Sequence, residues 1–321
     1  MKTVAIVYGG YSSEAVVSAK SLEGLLTFIP TDKYNLVPVF ISRSEWSAVV
    51  DGQHLPIDRT DFSFVQGGEK KKIDFAYITI HGEPGENGQL VGYFEMIGMP
   101  HSTCPALASA MTYNKFVCNT FLGACGVNVA KRHLLRATDA IDEAALVAEL
   151  GLPMFIKPAA GGSSFGVTKV KNAAEIKAAV AKALNESDDV VCEEFLNGTE
   201  VTCGMYKANN EYVMFPLTEV VSSNEFFDYE AKYTPGKAQE ITPARVADEV
   251  RDKVYAEAQK VYSLLQMHGI VRIDFIIVGG KPYLMEVNTT PGMTPTSFIP
   301  QQIVASGRSM SDVFSAIIEG K

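Results

Sequence analysis

Apolar residues near the start form a six-residue run, TVAIVY, and similar runs recur as LVPVFI and FAYITI. Between and after them lie stretches with helical spacing, one from about Ser13 to Phe28 and another reading GQLVGYFEMIG. Short apolar runs alternating with amphipathic helices predict a small parallel α/β unit over residues 1–103, in which ligands gather beyond the carboxyl ends of the strands. Two loops fall there, GGYSSE and HGEPGENG. A helical pattern follows through ALASAMTYNKFVCNTFLGACG, and strands and helices continue to AAEIKAAVAKAL, predicting a second unit over 104–190. Beyond DDVVCEEFL the runs TEVTCGMY, EYVMFPLTEVV, IVRIDFIIV and PYLMEVN, with a long helix from about Arg245 to Gln266, predict an antiparallel sheet with helices over 191–321. The expected class is thus α/β at the start and mixed α+β after it, in three domains.

Between LTEVV and that long helix, SSNEFFDYEAKYTPGKAQEITP has no clear period. Aperiodic segments of this length in compact domains are lids, binding loops or disordered stretches. Phe226, Phe227, Tyr229 and Tyr233 are many aromatics for a solvated linker, which favours a lid over 222–240.

The stretch KPAAGGSSFGVT raises the question of a phosphate site. Gly161, Gly166 and Thr168 have the spacing of a P-loop, but Val167 stands where the phosphate-reaching lysine belongs. The following VTKV is short and β-branched, so it reads as a strand rather than the helix that a P-loop needs. A glycine-rich hairpin is expected, with Lys157 just before it able to meet phosphates from another direction.

A length of 321 residues with 47% apolar content allows two or three packed cores. A net charge of -9 argues against broad nucleic-acid or anionic-membrane binding, so an anionic ligand would need a local basic site. Five cysteines with no C-x-x-C pair suit reduced structural thiols. The first apolar run is too short for a secretory signal, and no apolar stretch approaches the roughly 20 residues that cross a bilayer. A cytoplasmic protein is expected.

The sharpest local signal is RIDFIIVGGKPYLMEVNTTPG. Strand alternation places Arg272 and Asp274 on one face, and Glu286 and Asn288 share a face of the next strand, with VGG as the turn. Two carboxylates and an amide oxygen are hard ligands suited to Mg²⁺ completed by nucleotide phosphates. Asp274 and Glu286 interrupt apolar runs, where an unpaired carboxylate would be costly.

HGEPGENG, KPAAGGSSFGV, FFDYEAKY, GIVRIDF and MEVNTTPGMTPTS occur together in the order and at about the spacing of the D-alanine–D-alanine ligases of the ATP-grasp superfamily. The chain resembles that family over essentially its whole length. The resemblance implies a three-domain ATP-grasp fold, with ATP between the central and C-terminal units and the hairpin at 161–166 as a flap over the triphosphate. It further implies that Lys115, Lys157, Ser164 and Lys232 serve the phosphates, that Glu193 with the Glu194, Phe195 and Leu196 segment meets adenine, and that Glu200 meets the ribose. Glu194 stands where a lysine is common in the family, and Glu83-Pro84 where a basic residue is frequent.

By the same resemblance Glu14 holds the ammonium of the first D-alanine and His81 lies by its carboxylate. Ser163 and Tyr233 close towards Glu14, and Gly292 and Ser297 receive the second D-alanine. Asp274, Glu286 and Asn288 carry Mg²⁺ (two ions, with Mn²⁺ able to substitute), and Arg272 stabilises the oxyanion of the second step. The implied reaction makes D-alanyl-D-alanine for peptidoglycan through an acyl phosphate, and a homodimer through the first domain is in keeping with the family. Two other readings stay open: another ATP-grasp ligase, such as one making the D-serine or D-lactate product, and a nucleotide-binding regulatory protein without turnover.

Overall fold

Three sheets organise the residues described by this computed structural model, which are 1–12, 14–162, 164–222 and 238–320. The first is built from β1 (Lys2–Gly9), β2 (Tyr34–Ile41), β3 (Trp46–Val50), β4 (Gln53–Asp58), β5 (Ser63–Gln66), β6 (Glu69–Lys71) and β7 (Phe75–Ile78), with α1 (Ala15–Phe28) crossing from β1 to β2. Its order is β6-β5-β4-β3-β2-β1-β7, with β1 parallel to both β2 and β7 and the meander antiparallel. The parallel unit read from the sequence is therefore the centre of a mixed sheet. β4 and β6 are mostly exposed, so they lack the continuous apolar run that marks a strand buried on both faces.

β1 has such a run for a visible reason. Val4 and Ile6 face one core, shared with Leu25 of α1 and Phe314, while Ala5 and Val7 face another, shared with Leu90 and Phe94 of α2 (Gln89–Met96). Next come α3 (Ala106–Tyr113) and α4 (Lys115–Ala124), interrupted at Asn114, whose side chain accepts from Val117 N and caps α4.

The second sheet holds β8 (Arg132–Arg136), β9 (Met154–Pro158), β10 (Thr168–Val170) and β11 (Asp189–Glu194) in the order β10-β9-β11-β8, all antiparallel. α5 (Glu143–Leu150) and α6 (Ile176–Leu184) cover one face. β9 and β10 form the glycine-rich hairpin expected from the sequence, pairing Thr168 with Ile156.

The third sheet runs β15-β14-β12-β16-β17, from β12 (Thr199–Ala208), β14 (Thr218–Ser222), β15 (Ala238–Ile241), β16 (Val271–Val278) and β17 (Lys281–Asn288), with β13 (Glu211–Met214) also paired to β12. EYVMFPLTEVV is thus two strands, broken around Pro216, and β15 emerges from the segment that looked aperiodic. α7 (Asp248–Leu264) packs on this sheet, and so do Ala108 of α3 and Leu122 of α4. α8 (Phe298–Ala305) and α9 (Met310–Glu319) close the chain against α1 and β1. No helix among the described residues is long and apolar enough to cross a membrane.

Candidate active site

A cavity of about 690 Å³ opens where the three sheets meet, within the range of roughly 300–1,000 Å³ usual for ligand clefts. Every described residue given a catalytic, substrate, nucleotide or metal role in the sequence analysis lines it: Glu14, His81, Lys115, Lys157, Ser164, Glu193, Glu194, Phe195, Leu196, Glu200, Arg272, Asp274, Glu286, Asn288, Gly292 and Ser297. Ser163, Lys232 and Tyr233, and with them most of the 222–240 lid, lie outside the described residues. The strands that flank this segment pair Ser222 with Ala238.

β16 and β17 supply the charged floor. Their register sets Arg272 opposite Asn288 and Asp274 opposite Glu286, with an irregularity after Asp274. Gly279 and Gly280, both at positive φ, make the tight turn that fixes this register. Asp274 accepts from Arg272 Nη2 at 2.8 Å, from Thr202 Oγ1 at 2.5 Å and from Asn288 Nδ2 at 3.1 Å. Arg272 Nη2 also stands 3.9 Å from Glu286 Oε1, and the Phe298 ring lies 5.3 Å from its guanidinium carbon.

Lysines reach this floor from α4 and from the second sheet. Lys115, at the start of α4, donates from Nζ to Gly161 O at 2.6 Å and stands 3.9 Å from Glu286 Oε2, so it is a cavity residue rather than a solvated helix lysine. Lys157 on β9 pairs with Glu193 Oε2 at 2.5 Å. Glu194 Oε1 instead accepts from Lys131 N at 2.8 Å and fastens β11 to the start of β8. From the start of α1, the Glu14 carboxylate reaches in between two glycine backbones. A Cβ added at Gly82 would come within 3.1 Å of its Oε2, and one at Gly162 within 3.1 Å of its Oε1.

Comparison with known proteins decides what family these features belong to. Residues 3–104 match a family model described as D-ala D-ala ligase N-terminus, and residues 121–319 match D-ala D-ala ligase C-terminus.

The chain belongs to the D-alanine–D-alanine ligase family.

A family member called D-alanine–D-alanine ligase, from Phocaeicola vulgatus, is 54% identical, with 100% of this chain and 99% of the relative covered. Another of that name, from Parabacteroides distasonis, is 53% identical over 99% of this chain and 97% of its own. Among solved structures, the VanG D-Ala:D-Ser ligase of Enterococcus faecalis superposes with a TM-score of 0.88 at 31% identity, covering 99% of this chain and 98% of that one. The Bacillus anthracis ligase complexed with ATP gives 0.80 at 26% identity, covering 99% and 97%. The mixed α/β fold is the ATP-grasp fold of these ligases.

Within this ligase cavity the electrostatics separate the ionisable groups. Burial would lower the Arg272 guanidinium, but Asp274 beside it, with Glu286 and Glu86 beyond, holds it above its usual value. Burial pulls His81 down to about 4, Arg272 adds to this, and a Thr290 backbone contact opposes it, so the imidazole is neutral near pH 7.

Among the lining residues that the sequence did not mark, Glu86, Thr202 and Tyr113 bear most on the site's chemistry. Glu86 accepts from Gly82 N at 2.7 Å across its own loop; burial pushes its carboxyl up to about 8, and the Glu14 charge pushes in the same direction. Its only sequence signal was its place in HGEPGENG. Thr202 and Tyr113 are ordinary in sequence and become site residues only because β12 and α3 run beside the cavity.

Proposed function

We propose that this chain condenses two D-alanine molecules into D-alanyl-D-alanine with ATP, releasing ADP and phosphate, as a step of peptidoglycan precursor synthesis in the cytoplasm. The observation that carries the reading is the convergence, in one cavity, of Arg272, Asp274, Glu286 and Asn288 with Lys115 and Lys157. Similarity at 54% identity over the full chain to a ligase of that name supports the substrate.

In this reading the carboxylate of the first D-alanine attacks the γ-phosphorus of ATP, forming an acyl phosphate as ADP leaves. Protein groups position and neutralise rather than bond covalently. Lys115, Lys157 and Lys232 offset phosphate charge, Ser164 and the flap amides approach the same oxygens, and Glu200 holds the ribose. Glu193 and the Glu194–Leu196 segment receive the adenine. Glu14 pairs with the ammonium of the first D-alanine, while His81, being neutral, donates a hydrogen bond near its carboxylate without adding charge. Ser163 and Tyr233 close over Glu14.

The oxygen-only donor set of Asp274, Glu286 and Asn288 fits Mg²⁺, since the third donor is an amide in a strand register that brings all three together. Bound there, Mg²⁺ (two ions, or Mn²⁺ in its place) supplies charge neutralisation for the phosphoryl group. In the second step the amine of the other D-alanine, held by Gly292 and Ser297, attacks the activated carbonyl, and Arg272 stabilises the oxyanion. A closed lid over 222–240 protects the acyl phosphate from water.

ADP release that requires D-alanine tests the proposal, with product analysis in mixtures of D-alanine, D-serine and D-lactate. The VanG likeness makes D-alanyl-D-serine the competing product. Dominance of that product would replace the second substrate, and ADP release indifferent to D-alanine would end the ligase reading.

A further inference from the structure

We propose that Arg132 is a positioning residue that holds the Glu193 carboxylate turned to accept from an exocyclic amine, so that the nucleotide site selects a 6-aminopurine over a 6-oxopurine. The proposal rests on the assignment of Glu193 to the nucleotide base made above. Arg132 opens β8 directly opposite Glu193 of β11, and both side chains are only 9% exposed. Glu193 Oε2 is taken by Lys157, whereas Oε1 is buried with no hydrogen-bond partner. Arg132 Nε is likewise buried and unpartnered, and the two atoms stand 4.0 Å apart. The guanidinium is anchored by Nη2, which donates at 2.5 Å to Ala130 O. Ala130 and Glu193 line the cavity and Arg132 does not, so the arginine acts on a ligand indirectly, and its charge faces the carboxylate.

A buried carboxylate oxygen left without a donor is costly, and an incoming N–H group relieves that cost. An ionised carboxylate is acceptor-only, so it takes the 6-amino group of adenine and repels the 6-oxo group of guanine. Lys157 alone is a weak anchor for that carboxylate, because the phosphates claim the same ammonium. A second buried cation behind Glu193, itself tethered to Ala130 O, holds the carboxylate in place when Lys157 turns to the triphosphate. Without Arg132 the carboxylate is free to turn, its acceptor oxygen is no longer set towards the base, and the discrimination falls.

The test measures kcat/KM with ATP and with GTP for the full-length chain at saturating D-alanine. Arg132→Met is expected to lower the ATP:GTP ratio about 10- to 100-fold, the scale of one charge-assisted hydrogen bond. Arg132→Lys should retain most of the ratio, and KM for D-alanine should stay within about twofold in both. An unchanged ratio in Arg132→Met alongside a lowered melting temperature would show a purely structural arginine and overturn the proposal. Glu193→Gln, whose amide can present either an acceptor or a donor, should relax the ratio as well. If Arg132→Met does not fold, an ATP:GTP ratio unchanged in Glu193→Gln overturns the proposal instead. Failure of the ligase reading shows separately, as wild-type protein that releases no ADP with D-alanine.

Discussion

Arg272 and Asp274, one pleat apart on β16, form a two-point ion pair, with Nη2 at 2.8 Å from Oδ2 and Nε at 3.0 Å from Oδ1. Each is the other's principal counter-charge in a largely buried setting, and Thr202 and Asn288 complete the carboxylate's shell. The proposed oxyanion donor and a proposed metal ligand are therefore mechanically linked.

Arg272→Ala is accordingly expected to do two things. Loss of the oxyanion donor should lower kcat/KM at least 10²- to 10³-fold, with ATP affinity changed by no more than about threefold. Stranding Asp274 without its partner should also cost on the order of 3 kcal/mol of stability. Steady-state kinetics, nucleotide titration and urea unfolding read the three quantities. A large loss of ATP affinity would show that the arginine serves the nucleotide instead.

Glu286→Ala and Asn288→Ala should each abolish turnover at about 1 mM Mg²⁺ while leaving the melting temperature near that of the parent protein, since an oxygen ligand is lost but no core contact. Asn288 donates to Asp274, so its alanine variant should also raise the Mg²⁺ concentration needed for nucleotide binding. Normal turnover in either variant would remove the residue from the metal site.

Gly24 gives a test of packing between α1 and the loop proposed to receive the second D-alanine. Helix propensity alone would reward Gly24→Ala, but the added Cβ would lie 2.1 Å from the Met293 carbonyl oxygen, a backbone atom that no rotamer change can move. A propensity gain of about 1 kcal/mol is set against a forced backbone shift of about 1–3 kcal/mol, so net destabilisation is expected. Displacing Met293 also disturbs its neighbour Gly292, so KM for D-alanine should rise. A stabilised variant with unchanged KM would mean that the loop yields freely.

Glu86 predicts a particular pH dependence. Its folded carboxyl holds a proton up to about 8, whereas the unfolded group releases it near 4.5. Between those values the folded state binds more protons, so this residue's contribution to stability falls as pH rises through the window. Glu86→Gln does not titrate, so its melting temperature should gain on the wild type's steadily from about pH 5 to 8. His81 acts in the opposite direction below its ordinary value, but it is common to both proteins and cancels in the comparison. Parallel profiles would show that Glu86 is ionised throughout.

Much of this molecule is determined locally and was legible in the sequence alone. Period-two alternation set Arg272 with Asp274 and Glu286 with Asn288, and paired glycines marked the turn between them, because strand geometry allows few arrangements of such a segment. The glycine-rich hairpin was readable for the same reason, from the β-branched residues after Gly166. What escaped was non-local. The meander from β3 to β6 is half exposed and carries no continuous apolar signal, and helix α3 looks the same in sequence whichever sheet it covers. Only the tertiary structure brought Lys115 to Gly161 and Glu286, set Arg132 behind Glu193, and buried Glu86 close enough to Glu14 to raise its pKa. Burial and electrostatic coupling depend on which distant segments share a space, and that is decided by the packing of three sheets around one cavity rather than by the residues on either side in the chain.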